Sequence, residues 1–274
     1  MYFTIQNKEV YAYTGGKAFN PNLPTIILVH GAQNDHSVWA MQSRYLAHHG
    51  FNVLAVDLPG HGRSAGPALS SVEKLASWLL ELIEFSGIQQ AYVAGHSMGS
   101  LIALEAASMA PERIQKLALL GTAFPMKVSD ALLFSAQHDE QSAIDMVNIF
   151  SHSSMAHKPS CPGPGFSVMN GSMRLMQRIS AINPEQVFFN DFTACNTYLN
   201  GEEAAKKVQC PTLFLLARQD MMTPVKASSL LSNAINNKQI HIIENCGHSM
   251  MSEQADAVLD ALYGFMKTSN YSKI

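Results

Sequence analysis

Gly95-His96-Ser97-Met98-Gly99 is the segment whose residue types and spacing point most directly to chemistry. A serine with glycines two residues to either side can sit on a tight strand-to-helix turn that presents its hydroxyl as a nucleophile. The surroundings fit such a turn. Ala91 to Ala94 reads as a strand, and a helix is expected from Met98 to Ala110. That helix begins with small residues (Gly99, Ser100, Ala103, Ala106, Ala107), so it can pack close to a sheet and aim the positive end of its dipole at Ser97.

A serine hydroxyl is a weak nucleophile without a base, and the base needs an orienting acid. The chain has 11 histidines, so the presence of one proves nothing. His248 is selected by place: Asn245-Cys246-Gly247-His248 lies between the last expected strand and the last expected helix. Asp220 ends Phe214-Leu-Leu-Ala-Arg-Gln-Asp220, just past another strand's carboxyl end, where sites form in open α/β sheets. It competes with a helix N-cap role and with Asp57, which also follows a strand but is expected to fix its own glycine loop. An acyl-transfer intermediate needs two N–H donors for its oxyanion. Met98, following the nucleophile, is one; Ala32, in His30-Gly31-Ala32, is the expected second, with Gly31 allowing a sharp turn.

These residues need a frame. The opening suits a hairpin, Tyr2 to Ile5 and Val10 to Tyr13. Short apolar runs at Thr25–His30, Phe51–Val56, Ala91–Ala94 and Ile114–Leu120 read as buried parallel strands. Helices are expected over Ser37–His49, after Ser70 (with Ser70 and Glu73 as a capping box) and over Met98–Ala110. Residues 122–206 break the alternation. They show helical patterns near 129–137, 139–151, 168–181 and 184–199, interrupted by the loop 159–165. Strands at Thr212–Ala217 and Gln239–Ile243 then alternate with helices Pro224–Ile235 and Ser252–Met266. Alternating β and α means a mostly parallel sheet with helices on both faces.

Composition agrees with one well-packed protein. Of 274 residues, 47% are apolar and 14% charged, against roughly 25% charged in an average domain. Disorder is excluded for most of the chain. A net charge of -3 gives no basic face, so no nucleic-acid partner is expected. No apolar run approaches membrane-spanning length, and Met1 to Val10 does not read as a secretory signal. Four scattered cysteines (Cys161, Cys195, Cys210, Cys246) are expected as reduced thiols, which suits the cytoplasm.

Taken in order, His30-Gly31, Asp57-Leu-Pro-Gly-His-Gly-Arg-Ser64, Gly95 to Gly99, Asp220 and Gly247-His248 resemble the α/β-hydrolase superfamily along nearly the whole chain. The resemblance implies the α/β-hydrolase fold, a mostly parallel eight-stranded sheet flanked by helices. It makes 1–121 and 207–274 the core and 122–206 an inserted helical cap over the pocket. It also implies a Ser97–Asp220–His248 triad in the family's chain order, supported by His30, Gly31, Gly95 and Gly99. The expected function is a serine hydrolase of carboxylic esters, lactones or thioesters with a small-to-medium apolar substrate. No cofactor or metal is expected, and the oligomeric state stays open. Serine at 97 argues against halide displacement and epoxide opening, which use aspartate there. Carbon–carbon hydrolases, perhydrolases and low-turnover ligand sensors share the triad and remain alternatives. Ser249 stands where many carbon–carbon hydrolases carry tryptophan.

Several features receive milder readings. His96 is expected to be structural, and His152 and His157 lack a third metal ligand. The methionines Met126, Met146, Met155, Met169, Met173 and Met176 suit either a soft acyl pocket or plain helix packing. Arg174 and Arg178, one helical turn apart, suit solvent or a substrate carboxylate.

Overall fold

The computed structural model describes residues 1–157, 167–183 and 185–268. Strands β1 (Tyr2–Ile5) and β2 (Lys8–Tyr13) form the expected hairpin. Then come β3 (Thr25–Val29), β4 (Asn52–Val56), β5 (Ala91–His96), β6 (Ile114–Leu120), β7 (Thr212–Ala217) and β8 (Lys238–Ile243). All eight join one sheet in the order β1-β2-β4-β3-β5-β6-β7-β8. β2 pairs antiparallel with β4, and from β4 to β8 every pairing is parallel. This is the α/β-hydrolase fold.

Alternation along the central strands feeds two cores. Ile27, Val29, Val93, Leu117, Leu119 and Phe214 are buried with helices α2 (Val72–Phe85) and α3 (Met98–Met109). Ile26, Leu28, Ala94, Ala118, Leu120 and Leu213 pack with α1 (Ala40–His48) and with α10 (Met250–Glu253) and α11 (Ala255–Lys267). The sheet thus has helices on both faces, which is why its strands read as continuous apolar runs.

The register brings the strand carboxyl ends level. Val29 of β3 pairs with Gly95 of β5, and His96 pairs with Leu120 of β6. Leu120 in turn pairs with Leu215 of β7, and Ala217 with Ile243 of β8. The loops after β3, β5, β6, β7 and β8 therefore share one edge.

Between β6 and β7 lie α4 (Asp130–His138), α5 (Glu140–Phe150), α6 (Val168–Ile182) and α7 (Val187–Thr197), close to the four expected helical stretches. They carry a core of their own, including Leu132, Ile144, Met176, Phe188 and Phe192. Phe134, on α4, is 65% exposed. A further helix, α8 (Gly201–Lys207), packs on α3, so the last residues of the 122–206 stretch join the sheet layers.

Other expectations shift locally. Ser71, not Ser70, caps α2: its hydroxyl accepts from Lys74 N–H, and no box with Glu73 forms. The helices expected over Ser37–His49, Pro224–Ile235 and Ser252–Met266 each divide into a one-turn segment and a longer helix, which for the second is α9 (Ser229–Ala234). The loop 159–165, with Cys161, lies outside the described residues. Cys195, Cys210 and Cys246 are buried free thiols. Among the described residues no helix is long and apolar enough to cross a membrane.

Candidate active site

Ser97 caps α3 with φ 54 and ψ -121, a strained backbone for a residue with a side chain. The turn is held from beneath, where Ser97 N–H donates to Leu120 O at 2.9 Å and Ser100 Oγ donates to Ser97 O at 2.6 Å. It needs space more than flexibility. A Cβ at Gly95 would collide with the Gly99 carbonyl, and one at Gly99 with the carbonyls of Val29 and His30. Gly31 matters for the same reason. A Cβ there would lie 3.0 Å from Ser97 Cβ, and the left-handed residue of this loop is Gln33, at φ 54.

His248 Nδ1 lies 2.8 Å from Asp220 Oδ2, and both side chains are buried. A ring nitrogen facing a carboxylate donates, which leaves Nε2 with its lone pair, the form a general base needs. Asp220 Oδ1 accepts from the N–H groups of Met222 and Thr223 at 2.9 and 2.7 Å. Asp220 thus closes its own turn with Oδ1 and faces His248 with Oδ2; it does not cap the helical turn that follows, whose N-cap is Pro224. Burial opposes its ionisation, but His248 and the hydrogen bonds from His248 and Thr223 outweigh this and lower the carboxyl pKa.

Sequence reasoning missed several supporting residues. Thr223 Oγ1 donates to Asp220 Oδ2 at 2.7 Å and lies 3.1 Å from His248 Nδ1. Gly121, at φ 52, backs the imidazole: a Cβ there would lie 3.1 Å from His248 Cε1. Glu253 accepts from Gly247 N–H and Ser153 N–H, tying the His248 loop to the chain after α5. None of these has a sequence signature beyond proximity to a strand end.

His96 Nε2 donates to His248 O at 2.9 Å, and burial followed by the nearby His248 pushes its pKa down to about 3. It is a neutral brace, as expected. His30 is another: Nδ1 donates to Gly31 O at 2.8 Å and Nε2 accepts from Leu58 N–H at 3.1 Å. Burial, then His61, lowers its pKa to about 4. Asp57 serves its own loop, accepting from His36 and from Arg63 N–H. Asp35, His36 and Asp57 cluster within metal-ligand range, but their oxygens already accept from Ser37, Arg178, His36 and Arg63. His152 and His157 spend a nitrogen each on the carbonyls of Asn148 and Ile149.

Ser97 opens onto cavities on two sides. One, of about 270 Å³, is lined by Met126, Leu132, Met146, Phe192 and Met222. On the other side a neck of about 60 Å³, shared by Ser97, His248 and His152, leads past His96 to a cavity of about 710 Å³. Arg174 and Arg178 line that larger cavity, with Arg178 paired to Asp35. The methionines divide. Met126 and Met146 face the smaller cavity, Met173 and Met176 pack among the helices, and Met155 is exposed. Ala32 lines both the neck and the smaller cavity, and its N–H has no acceptor among the described residues.

The sequence model of the alpha/beta hydrolase family matches residues 26–261. The chain belongs to this family. It is a hydrolase. Over 251 residues it is 27% identical to the 2-hydroxy-6-oxononadienedioate/2-hydroxy-6-oxononatrienedioate hydrolase 2 of Pseudomonas putida, covering 85% of this chain and 84% of that one. A 111-residue stretch, 40% of this chain, is 38% identical to the dihydrolipoyllysine-residue acetyltransferase component of the acetoin cleaving system of Pseudomonas putida; it spans 28% of that relative. The enol-lactonase from Burkholderia xenovorans LB400 shares the fold, with a TM-score of 0.81, 22% identity and coverage of 98% of this chain and 100% of that one.

Proposed function

We propose that this hydrolase cleaves carboxylic esters, lactones and thioesters included, through an acyl-enzyme on Ser97. One observation carries the reading: Ser97 sits on a strained turn in the same narrow neck as a buried His248–Asp220 pair. In this mechanism Ser97 Oγ attacks the carbonyl carbon while His248 Nε2 takes its proton. Asp220 holds the imidazole and stabilises the imidazolium. The N–H groups of Met98 and Ala32 stabilise the oxyanion. The protonated His248 then gives its proton to the leaving alcohol, and its neutral form later activates the water that releases the acid. The apolar cavity of about 270 Å³ takes the acyl chain, and the larger cavity takes the leaving group.

A second reading, carbon–carbon cleavage of a carboxylated substrate, is favoured by the dioate hydrolase relative and by Arg174 at the larger cavity. Ser249 in place of tryptophan weighs against it. One experiment separates the readings. An ester, lactone, thioester and vinylogous keto-acid panel is run on wild type and Ser97→Ala, with fluorophosphonate labelling followed by peptide mapping. Steady ester turnover lost with Ser97 supports the first reading, and turnover confined to the keto acid supports the second. A single stoichiometric burst that stalls identifies a ligand sensor, and labelling at another serine refutes the site.

A further inference from the structure

The buried side chain of Asp191, on α7, has no part in the scheme above, yet it reaches the loop that carries Ala32. Its Oδ2 accepts from the backbone N–H of Gln33 at 2.9 Å and from His61 Nε2 at 2.8 Å. All three residues are at most 2% exposed. Asp191 lines neither cavity beside Ser97, so it cannot touch substrate there. His61 Nδ1 faces Pro59 O at 3.1 Å, so both ring nitrogens face acceptors. A ring that donates from both nitrogens is an imidazolium, and it balances the Asp191 carboxylate, as buried charges require.

The object held is the expected oxyanion loop. Gln33 occupies the left-handed region at φ 54, which a residue with a Cβ adopts only when its surroundings enforce it. The enforcement comes from the helices inserted between β6 and β7. Gln33 Nε2 donates to Met176 O at 3.1 Å and to Ser180 Oγ at 2.7 Å, both on α6, while Asp191 on α7 holds the N–H. The two peptide planes flanking the Ala32 Cα are each pinned. His30 donates to Gly31 O on one side; on the other, Asn34 Nδ2 donates to Ala32 O at 2.9 Å and Asp191 accepts from Gln33 N–H.

We propose that Asp191, charge-balanced by His61, is a positioning residue that lets the inserted helices set the aim of the Ala32 N–H. This rests on the reading of Ala32 as an oxyanion donor. The inserted helices then do more than roof the pocket: moving α6 and α7 away would release Gln33 and disarm the oxyanion hole.

The test uses the full chain. For p-nitrophenyl butyrate, Asp191→Ala should lower kcat about tenfold or more with KM within about twofold, since a donor lost outright costs more. Fluorophosphonate labelling should slow in parallel, because phosphonylation draws on the same donors. Asp191→Asn keeps an acceptor for Gln33 N–H and should stay within about threefold of wild type in kcat. Rates are taken per active site, so loss of folded protein does not imitate the effect. Ser180→Ala, at a half-buried site, serves if Asp191→Ala fails to fold, with an expected fall in kcat of about threefold at constant KM. Unchanged kcat in a folded Asp191→Ala protein overturns the proposal, as does unchanged kcat in Ser180→Ala where it decides. Wild-type protein that neither labels at Ser97 nor turns over esters refutes the serine-ester reading itself, and this inference with it.

Discussion

Asp220 and His248 are joined through a single carboxylate oxygen, Oδ2, at 2.8 Å, while the other oxygen closes the turn that carries Thr223. The carboxylate is thereby locked to its own loop as well as to the imidazole. Rotating the carboxylate would break two backbone hydrogen bonds as well as the contact with the imidazole.

Asp220→Asn should lower kcat by about 10⁴-fold, because the amide favours the wrong imidazole tautomer. It should also reduce stability, since an amide cannot accept at both ends from Thr223, Met222 and His248. Thr223→Val removes a hydroxyl that donates to the carboxylate and should cost about 1.5–3 kcal/mol of stability. Urea unfolding with steady-state kinetics on both variants measures this. A silent Asp220→Asn would remove it as the acid.

Gly121→Ala tests the packing behind His248. The left-handed backbone costs an alanine about 1–2 kcal/mol, and the added Cβ presses on the His248 ring. The expected result is a fall in kcat larger than the stability loss explains, with KM little changed. Wild-type kcat in a folded variant would show that the ring has room to shift.

Stability should fall on acidification below about pH 6.5. The folded pKa values of His96 and His30, about 3 and about 4, lie under that of an unfolded histidine. Between the two limits the unfolded chain takes up protons that the folded chain refuses. Each histidine then contributes a slope of up to about 1.4 kcal/mol per pH unit. Asp220, its pKa lowered, adds stability above the unfolded carboxylate value that is lost as pH falls through the folded one. His61 has the opposite sign: burial opposes its charge, but Asp191 raises its pKa, so its contribution is full below the unfolded value and is lost as pH rises through the folded one. His96→Phe should flatten the acid limb of unfolding free energy measured between about pH 4.5 and 6.5. An unaltered slope would show that His96 takes no part.

The cavity lined by Met126, Leu132 and Met146 should read acyl length. Each added methylene gains about 0.8 kcal/mol on burial, so kcat/KM for p-nitrophenyl esters should rise a few-fold per step from acetate until the space is full. Leu132→Trp should move the optimum to shorter chains. A steady decline from acetate in wild type would show that the methionines close the cavity. Preference for a dicarboxylic half-ester would point to Arg174 and a carboxylated substrate.

The sequence alone carried the sheet and placed Ser97, Asp220 and His248 each just past a strand's carboxyl end. Each of these is local: apolar runs bounded by turns make strands, glycines around Ser97 permit the elbow, and strand ends in a parallel sheet share an edge. It also carried the four inserted helices, through their periodicity, though not which faces they bury; on α4 Leu132 is buried while Phe134 is 65% exposed. What tertiary structure decided are contacts between residues far apart in the chain. Thr223 beside His248, Gly121 behind the ring, and Asp191 on Gln33 across 158 residues have no periodicity or motif to announce them. The left-handed residue of the loop after β3 is Gln33 because side chains from α6 and α7 supply the partners that make a strained backbone affordable there. Local propensity cannot register partners that arrive only when the inserted helices fold onto the sheet edge.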